Sequence, residues 1–128
     1  MSKQIIATTN APSAIGPYSQ GVLVTGGEMV FTSGQLPINP ATGELVKDDI
    51  KAATKQSLEN VKAILEEAGS SMDKVVKTTV FLNDIADFKA MNEVYAEYFK
   101  TDCPARSAFQ VGKLPLEALI EIEVIAVK

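Results

Sequence analysis

The stretch Leu119-Ile120-Glu121-Ile122-Glu123-Val124-Ile125-Ala126-Val127 most limits what this chain can fold into. Its β-branched residues and its alternation predict a strand. Ile120, Ile122, Val124 and Ala126 fall on one side, ready to meet helices. Leu119, Glu121, Glu123, Ile125 and Val127 fall on the other, and that side is too apolar to be left in water. An apolar surface of this kind marks an interface. The expectation is a homo-oligomer joined through the bare face of a sheet. A carboxylate flanked by isoleucines is also an unusual place for a charge, which makes Glu121 the first candidate for chemistry.

The second candidate lies upstream, in Pro104-Ala105-Arg106-Ser107-Ala108-Phe109-Gln110-Val111. Phe109 and Val111 alternate with Ala108 and Gln110, as in a half-buried strand. Arg106 opens this strand behind a proline that stiffens the approach. The loop Gly112-Lys113-Leu114-Pro115 is expected to fold the two strands onto each other, bringing Arg106 near Glu121 at a cleft. These residues allow two readings: a cross-strand ion pair without chemistry, or a cleft in which both groups act.

Before these strands, Lys3 to Thr8 reads as an edge strand and Thr9 to Pro17 as a loop rich in breakers. The Gly16-Pro17 pair would hold Tyr18 rigidly, its hydroxyl open to a cleft or its ring packed inward. Gly21 to Thr25 and Met29 to Gly34 read as a hairpin about Gly26-Gly27, which supply the positive φ of a tight turn. Gly34 at a strand end permits close approach of a ligand or of another backbone. Asp48 or Asp49 caps a helix to about Ala68, with Ile50, Ala53, Leu58, Val61, Leu65 and Ala68 on its apolar face and Gly69 beyond its end. The charged face suggests pairs Lys55–Glu59 and Lys62–Glu66. Val75 to Leu82 follows as a strand and Phe88 to Phe99 as a helix with Phe88, Met91, Tyr95 and Tyr98/Phe99 in a core stripe. Asn92 lies beside that stripe, at a rim or toward solvent. The resulting order is β-β-β-α-β-α-β-β in one domain, 1–128, with both helices on one face of the sheet.

Composition closes off several functions. The absence of histidine removes imidazole bases, catalytic triads that need them and histidine metal sites. One cysteine, Cys103, gives no internal disulfide, no zinc site in this histidine-free chain, and fits a reducing cytoplasm. No phosphate-loop or dinucleotide glycine pattern occurs. Net charge −4 disfavours a nucleic-acid partner. No apolar run long enough to cross a membrane is present, and the N-terminus lacks the apolar core of a signal peptide. Neither metal nor cofactor is expected. Catalysis, if any, falls to Arg, Glu, Asp, Tyr, Ser, Lys or the backbone.

The pattern Pro104-Ala105-Arg106-Ser107-x-Phe109-x-x-Gly112-x-Leu114, followed by Ile120-Glu121-Ile122, resembles the signature of the RidA/YjgF family, the older endoribonuclease L-PSP group. The likeness spans nearly the whole chain. Ala14-Ile15-Gly16-Pro17-Tyr18-Ser19-Gln20, Phe31-Thr32-Ser33-Gly34-Gln35, Asn60-Val61-Lys62-Ala63-Ile64-Leu65 and Asn92-Glu93-Val94-Tyr95 occur in the family's order. The resemblance implies an α+β, chorismate-mutase-like fold with a mixed sheet, a homotrimer with a barrel core, and active sites between subunits. It implies hydrolytic deamination of enamines and imines, such as 2-aminoacrylate and 2-aminocrotonate, to 2-oxo acids and ammonia. Arg106 would grip the substrate carboxylate and Glu121 would serve the attacking water. Tyr18, Gly34 and Asn92 would line the pocket. Many members carry cysteine where this chain has Ala108; a thiol role is absent here, and only the Ala108 N–H remains for binding. Two other functions stand beside this one. One is a 2-oxo acid or small-carboxylate sensing module without turnover. The other is a ribonuclease or translation inhibitor, which the net charge and the lack of histidine disfavour.

Overall fold

The structure, a computed structural model, describes residues 2–128; Met1, part of the expected domain, lies outside the described residues. Along the chain run β1 (Ser2–Ile6), β2 (Gly21–Thr25), β3 (Met29–Phe31), α1 (Ile50–Glu67), β4 (Val75–Leu82), α2 (Phe88–Tyr98), β5 (Ala105–Gln110) and β6 (Ile120–Val127). This is the expected order, in an α+β arrangement with a four-stranded sheet β3-β6-β4-β5 and a two-stranded sheet β1-β2.

Local chemistry sets the ends of α1. Asp49 sits in extended conformation and its carboxylate accepts the Lys51 N–H at 3.0 Å. At the other end Gly69 takes φ +83°, the Gly69 N–H reaches the Glu66 carbonyl at 3.1 Å, and the Ser70 N–H reaches Leu65 at 2.8 Å. That pair of bonds is the Schellman closure, and it needs a residue at ease with positive φ. Between the caps, Ala53, Leu58, Val61 and Leu65 are fully buried. The pairs Lys55–Glu59 and Lys62–Glu66 do not form ion pairs among the described residues. Glu59 instead accepts the Tyr98 hydroxyl at 2.7 Å, and the helices are bridged by Lys51–Glu93 at 2.6 Å.

In α2, Met91 and Tyr95 are fully buried, and Phe99 just past its end is nearly so. Both helices meet one face of the four-stranded sheet. On it Ile120, Ile122 and Ala126 from β6 and Val80 and Leu82 from β4 have no exposed surface. Burying one such aliphatic side chain is worth about 1.5–3 kcal/mol, so this layer holds the helices more firmly than propensity does.

Two expected pairings are corrected. First, β5 and β6 are not neighbours, because β4 lies between them. β4 pairs in parallel with β5, Thr78 opposite Arg106 and Phe81 opposite Phe109, and antiparallel with β6, Val80 opposite Ile122 and Phe81 opposite Glu121. The physical reason is the connection: α2 carries the chain from β4 to β5, the crossover that a parallel pair requires. The segment after β5 then passes over the end of β4, where the Val111 N–H donates to the Leu82 carbonyl and the Asn83 N–H to Leu119. Second, β2 and β3 do not form a hairpin, although Gly26 and Gly27 do take φ +69° and +84°. β2 pairs with β1, and β3 pairs with the free edge of β6, Val30 opposite Ala126. That register puts Val30 with the helix-side core. β3 is also shorter than expected: past Phe31 the chain follows β6 irregularly to the Gln35–Ile122 bridge.

The face away from the helices is partly as expected. Ile125 is half-buried and Glu123 exposed, but Val127 is fully buried, at the sheet end where Lys3 reaches the Asp73 and Val75 carbonyls. The exposed apolar surface on this side comes instead from Met29, Phe31 and Phe109. Phe109 packs edge-on against Phe81.

Candidate active site

Arg106 stands on the helix side of β5, beside the loop that carries Tyr18. That loop is pinned to the start of β5: the Ser19 N–H donates to the Pro104 carbonyl at 3.1 Å, and the Ser19 hydroxyl to the Cys103 carbonyl. Arg106 Nη1 donates to Asn92 Oδ1 at 2.6 Å. Its guanidinium lies over three rings, with the centroid of Tyr95 at 4.6 Å, Phe88 at 5.4 Å and Tyr18 at 5.6 Å. Gly16 passes over the same spot; a Cβ there would meet Asn92 Nδ2 and the Tyr18 ring at 3.7 Å. Burial pushes the Arg106 pKa down, yet guanidinium starts so basic that the charge stays. The same burial pushes the Tyr95 hydroxyl up to about 12. Of five guanidinium N–H donors, one meets a protein acceptor among the described residues. The rest suit a bidentate carboxylate. Ala108, on the same side of β5, packs against the core.

Glu121 lies on the opposite face. Its neighbour is Gly34, held there by the Gln35 N–H to Ile122 carbonyl bond at 2.7 Å and its return at 3.2 Å. A Cβ on Gly34 would lie 2.5 Å from Glu121 Oε2 and 2.7 Å from Cδ, so the carboxylate occupies the space of the missing side chain. This is the close approach that a strand-end glycine permits. No hydrogen bond or ion pair engages the Glu121 carboxylate among the described residues.

The expected site residues therefore gather in two clusters. Arg106, Tyr18 and Asn92 meet, with Ala108 two residues along the strand; Glu121 and Gly34 meet on the other face of the sheet. Arg106 and Glu121 do not come together within one chain, because β4 separates their strands and the register turns them to opposite sides. The cross-strand ion pair is thereby ruled out within the chain. Two walls of the arginine cluster, Phe88 and Tyr95, read from sequence only as core. The available signal was Thr78, a hydroxyl at a core position of a Val- and Thr-rich strand, which calls for a buried partner. That partner is the Tyr95 hydroxyl at 2.7 Å. No cluster of three or more Cys, Asp or Glu suited to a metal occurs among the described residues.

The family model described as Endoribonuclease L-PSP matches residues 8–128. The chain belongs to this family, the YjgF/RidA family. Its relatives in the L-PSP family include a RutC family protein of Pyrococcus abyssi, 56% identical over 128 residues, covering 100% of this chain and 99% of the relative. The 2-iminobutanoate/2-iminopropanoate deaminase of Escherichia coli strain K12 is 53% identical over 131 residues, covering 100% and 99%. Among solved L-PSP family structures, the E. coli YjgF gene product superposes with a TM-score of 0.75 at 50% identity, covering 98% of each chain. E. coli TdcF with bound serine gives a TM-score of 0.75 at 48% identity, again covering 98% of each. No helix among the described residues is long and apolar enough to cross a membrane.

Proposed function

We propose that this protein hydrolyses 2-imino acids and their enamine tautomers, such as 2-aminoacrylate and 2-aminocrotonate, to 2-oxo acids and ammonia. The observation that carries the reading is the Arg106 fork: fixed by Asn92, walled by rings, and left with donors to spare. Arg106 binds the substrate carboxylate, with Tyr18 and Asn92 beside it and the Ala108 N–H nearby on the strand. Glu121, lodged against Gly34, takes a proton from water as it adds to the imine carbon and hands it on to the imine nitrogen. The resulting carbinolamine gives up its nitrogen as ammonia while the hydroxyl oxygen becomes the ketone, so one water is consumed and no electrons are exchanged. Neither a metal nor an organic cofactor enters this scheme. The name of the E. coli deaminase supports the reaction, and the serine bound to TdcF supports a small amino-acid-like carboxylate.

Because the two clusters face opposite ways, the complete site is built between subunits. One copy supplies Arg106 and the next supplies Glu121. A contact between two different patches closes into a ring, and we read that ring as a homotrimer in the chorismate-mutase-like arrangement, its open sheet faces lining a central barrel. Exposed Met29, Phe31 and Phe109 on that face favour such a contact. The lone Cys103, free of any disulfide, suits a cytoplasmic setting. Net charge −4 weighs against RNA as the substrate, despite the family's older name.

The test supplies enamine continuously from threonine and a threonine dehydratase. Faster release of 2-oxobutyrate and ammonia on adding this protein supports the reading. Binding of 2-oxobutyrate without acceleration would instead make the protein a sensing module. Tight, steeply salt-dependent RNA binding would favour the nucleic-acid reading.

A further inference from the structure

The helix side of Arg106 holds a device that carboxylate binding alone does not explain. Arg106 and Thr78 are direct neighbours across β5 and β4. The Thr78 hydroxyl does not pair with Arg106; it meets the Tyr95 hydroxyl at 2.7 Å, and both residues have no exposed surface. The Tyr95 ring then lies against the guanidinium at 4.6 Å, nearer than Phe88 or Tyr18. β5 is an edge strand, and arginine is a long side chain with much rotamer freedom to lose. The single hydrogen bond to Asn92 fixes one end of the fork and leaves its plane free to turn. A ring face fixed from beneath removes that freedom, and the attraction of a cation for an aromatic face adds to it.

We infer that Tyr95, fastened by Thr78, is the positioning residue that sets the plane of the Arg106 fork for its carboxylate. The inference rests on the reading of Arg106 as a carboxylate anchor. Tyr95 touches no substrate; it acts through Arg106. Losing the ring should therefore weaken carboxylate binding by about tenfold, the scale of a partly desolvated cation–π contact. Removing only the hydroxyl contact, by Tyr95→Phe or Thr78→Val, should weaken it by about threefold. The double variant Tyr95→Phe/Thr78→Val should be no weaker than either single one, since both remove the same bond.

The experiment measures two quantities on the full-length protein: 2-oxobutyrate affinity by calorimetry, and the Arg106 Nε–Hε resonance by NMR without ligand. The wild type should show a ring-current shift at Hε that shrinks in Thr78→Val and vanishes in Tyr95→Leu, with affinity falling in step. Leu58→Ala serves as a control that loosens the core without touching the fork; it should lower the melting temperature and leave both readouts unchanged. If Tyr95→Leu fails to fold, Thr78→Val decides. An unaltered Hε shift with unaltered affinity in the folded variants overturns the inference. If the wild type binds 2-oxobutyrate and Tyr95→Leu binds it more weakly with the Hε shift lost, yet the wild type does not accelerate imine hydrolysis, the positioning stands and the deaminase reading falls.

Discussion

The arginine cluster and the glutamate cluster are built on opposite principles. Arg106 is over-determined by its own chain: a hydrogen bond to Asn92, three rings around the guanidinium, and a loop pinned through Ser19. Glu121 is held by a space alone, the gap left by the missing side chain of Gly34, and its carboxylate has no partner among the described residues. The arginine half is preorganised before anything binds, whereas the glutamate half lies on a face that still exposes Phe31 and Phe109. On the proposed assembly, folding finishes the arginine half and a neighbouring copy finishes the glutamate half.

The sharpest break is Arg106→Ala. Removing the fork strands the substrate carboxylate, at a cost on the order of 2–5 kcal/mol, and imine hydrolysis should fall to background. Circular dichroism and light scattering should find the fold and the assembly retained. Arg106→Lys should recover only part of the loss, since an ammonium keeps the charge without the planar fork. Next comes Glu121→Gln, expected to lower kcat by about 10²–10⁴-fold while 2-oxobutyrate affinity stays within a few-fold. Wild-type turnover in this variant would make Glu121 a structural residue.

Gly34→Ala sharpens the comparison further. The added Cβ would sit 2.5 Å from Glu121 Oε2 and must push the carboxylate aside. A misplacement of about 1 Å costs on the order of a hundredfold in rate. Calorimetry should meanwhile find 2-oxobutyrate affinity intact, because the arginine half is untouched.

The smallest effect belongs to the arginine half and is read as stability. Tyr95 has its pKa raised from 10.0 to about 12, chiefly by burial. A raised folded-state pKa gives stability that is fully present below the unfolded value and is lost as pH climbs toward the folded one. Unfolding free energies from denaturant titrations should therefore fall between pH 10.0 and about 12, by roughly 2–3 kcal/mol in all. In Tyr95→Phe that slope should flatten; an identical slope would assign the loss to other groups.

Much of this was legible in the sequence, and what was not has a common cause. The spacing of Ala53, Leu58, Val61 and Leu65, a cap at Asp48 or Asp49 and the Gly69 stop act within a helical turn or two, so α1 could be read from its residues, with Asp49 the one that caps it. The face assignment of β6 followed from alternation. Adjacency did not: nothing in Arg106 or Glu121 says that β4 will lie between their strands, because that depends on where the α2 crossover lands. The turn chemistry of Gly26-Gly27 was right and its pairing wrong, since β6 offered β3 an edge with a core position for Val30. The Tyr95 wall was hidden for a similar reason, as a tyrosine in a core stripe shows its second role only once Thr78 is seen beside Arg106.

The central claim is that Arg106 of one copy works with Glu121 of another, and subunit complementation tests it most directly. Arg106→Ala and Glu121→Gln proteins are each inactive by expectation. Unfolded together in equal amounts and refolded, they should form mixed trimers in which each ring has one interface joining an intact Arg106 to an intact Glu121. With random assembly that restores about a quarter of wild-type activity, the value expected of a closed ring of head-to-tail contacts. Activity no greater than the mean of the two separate variants, with mixed trimers demonstrated by mass, would contradict the claim.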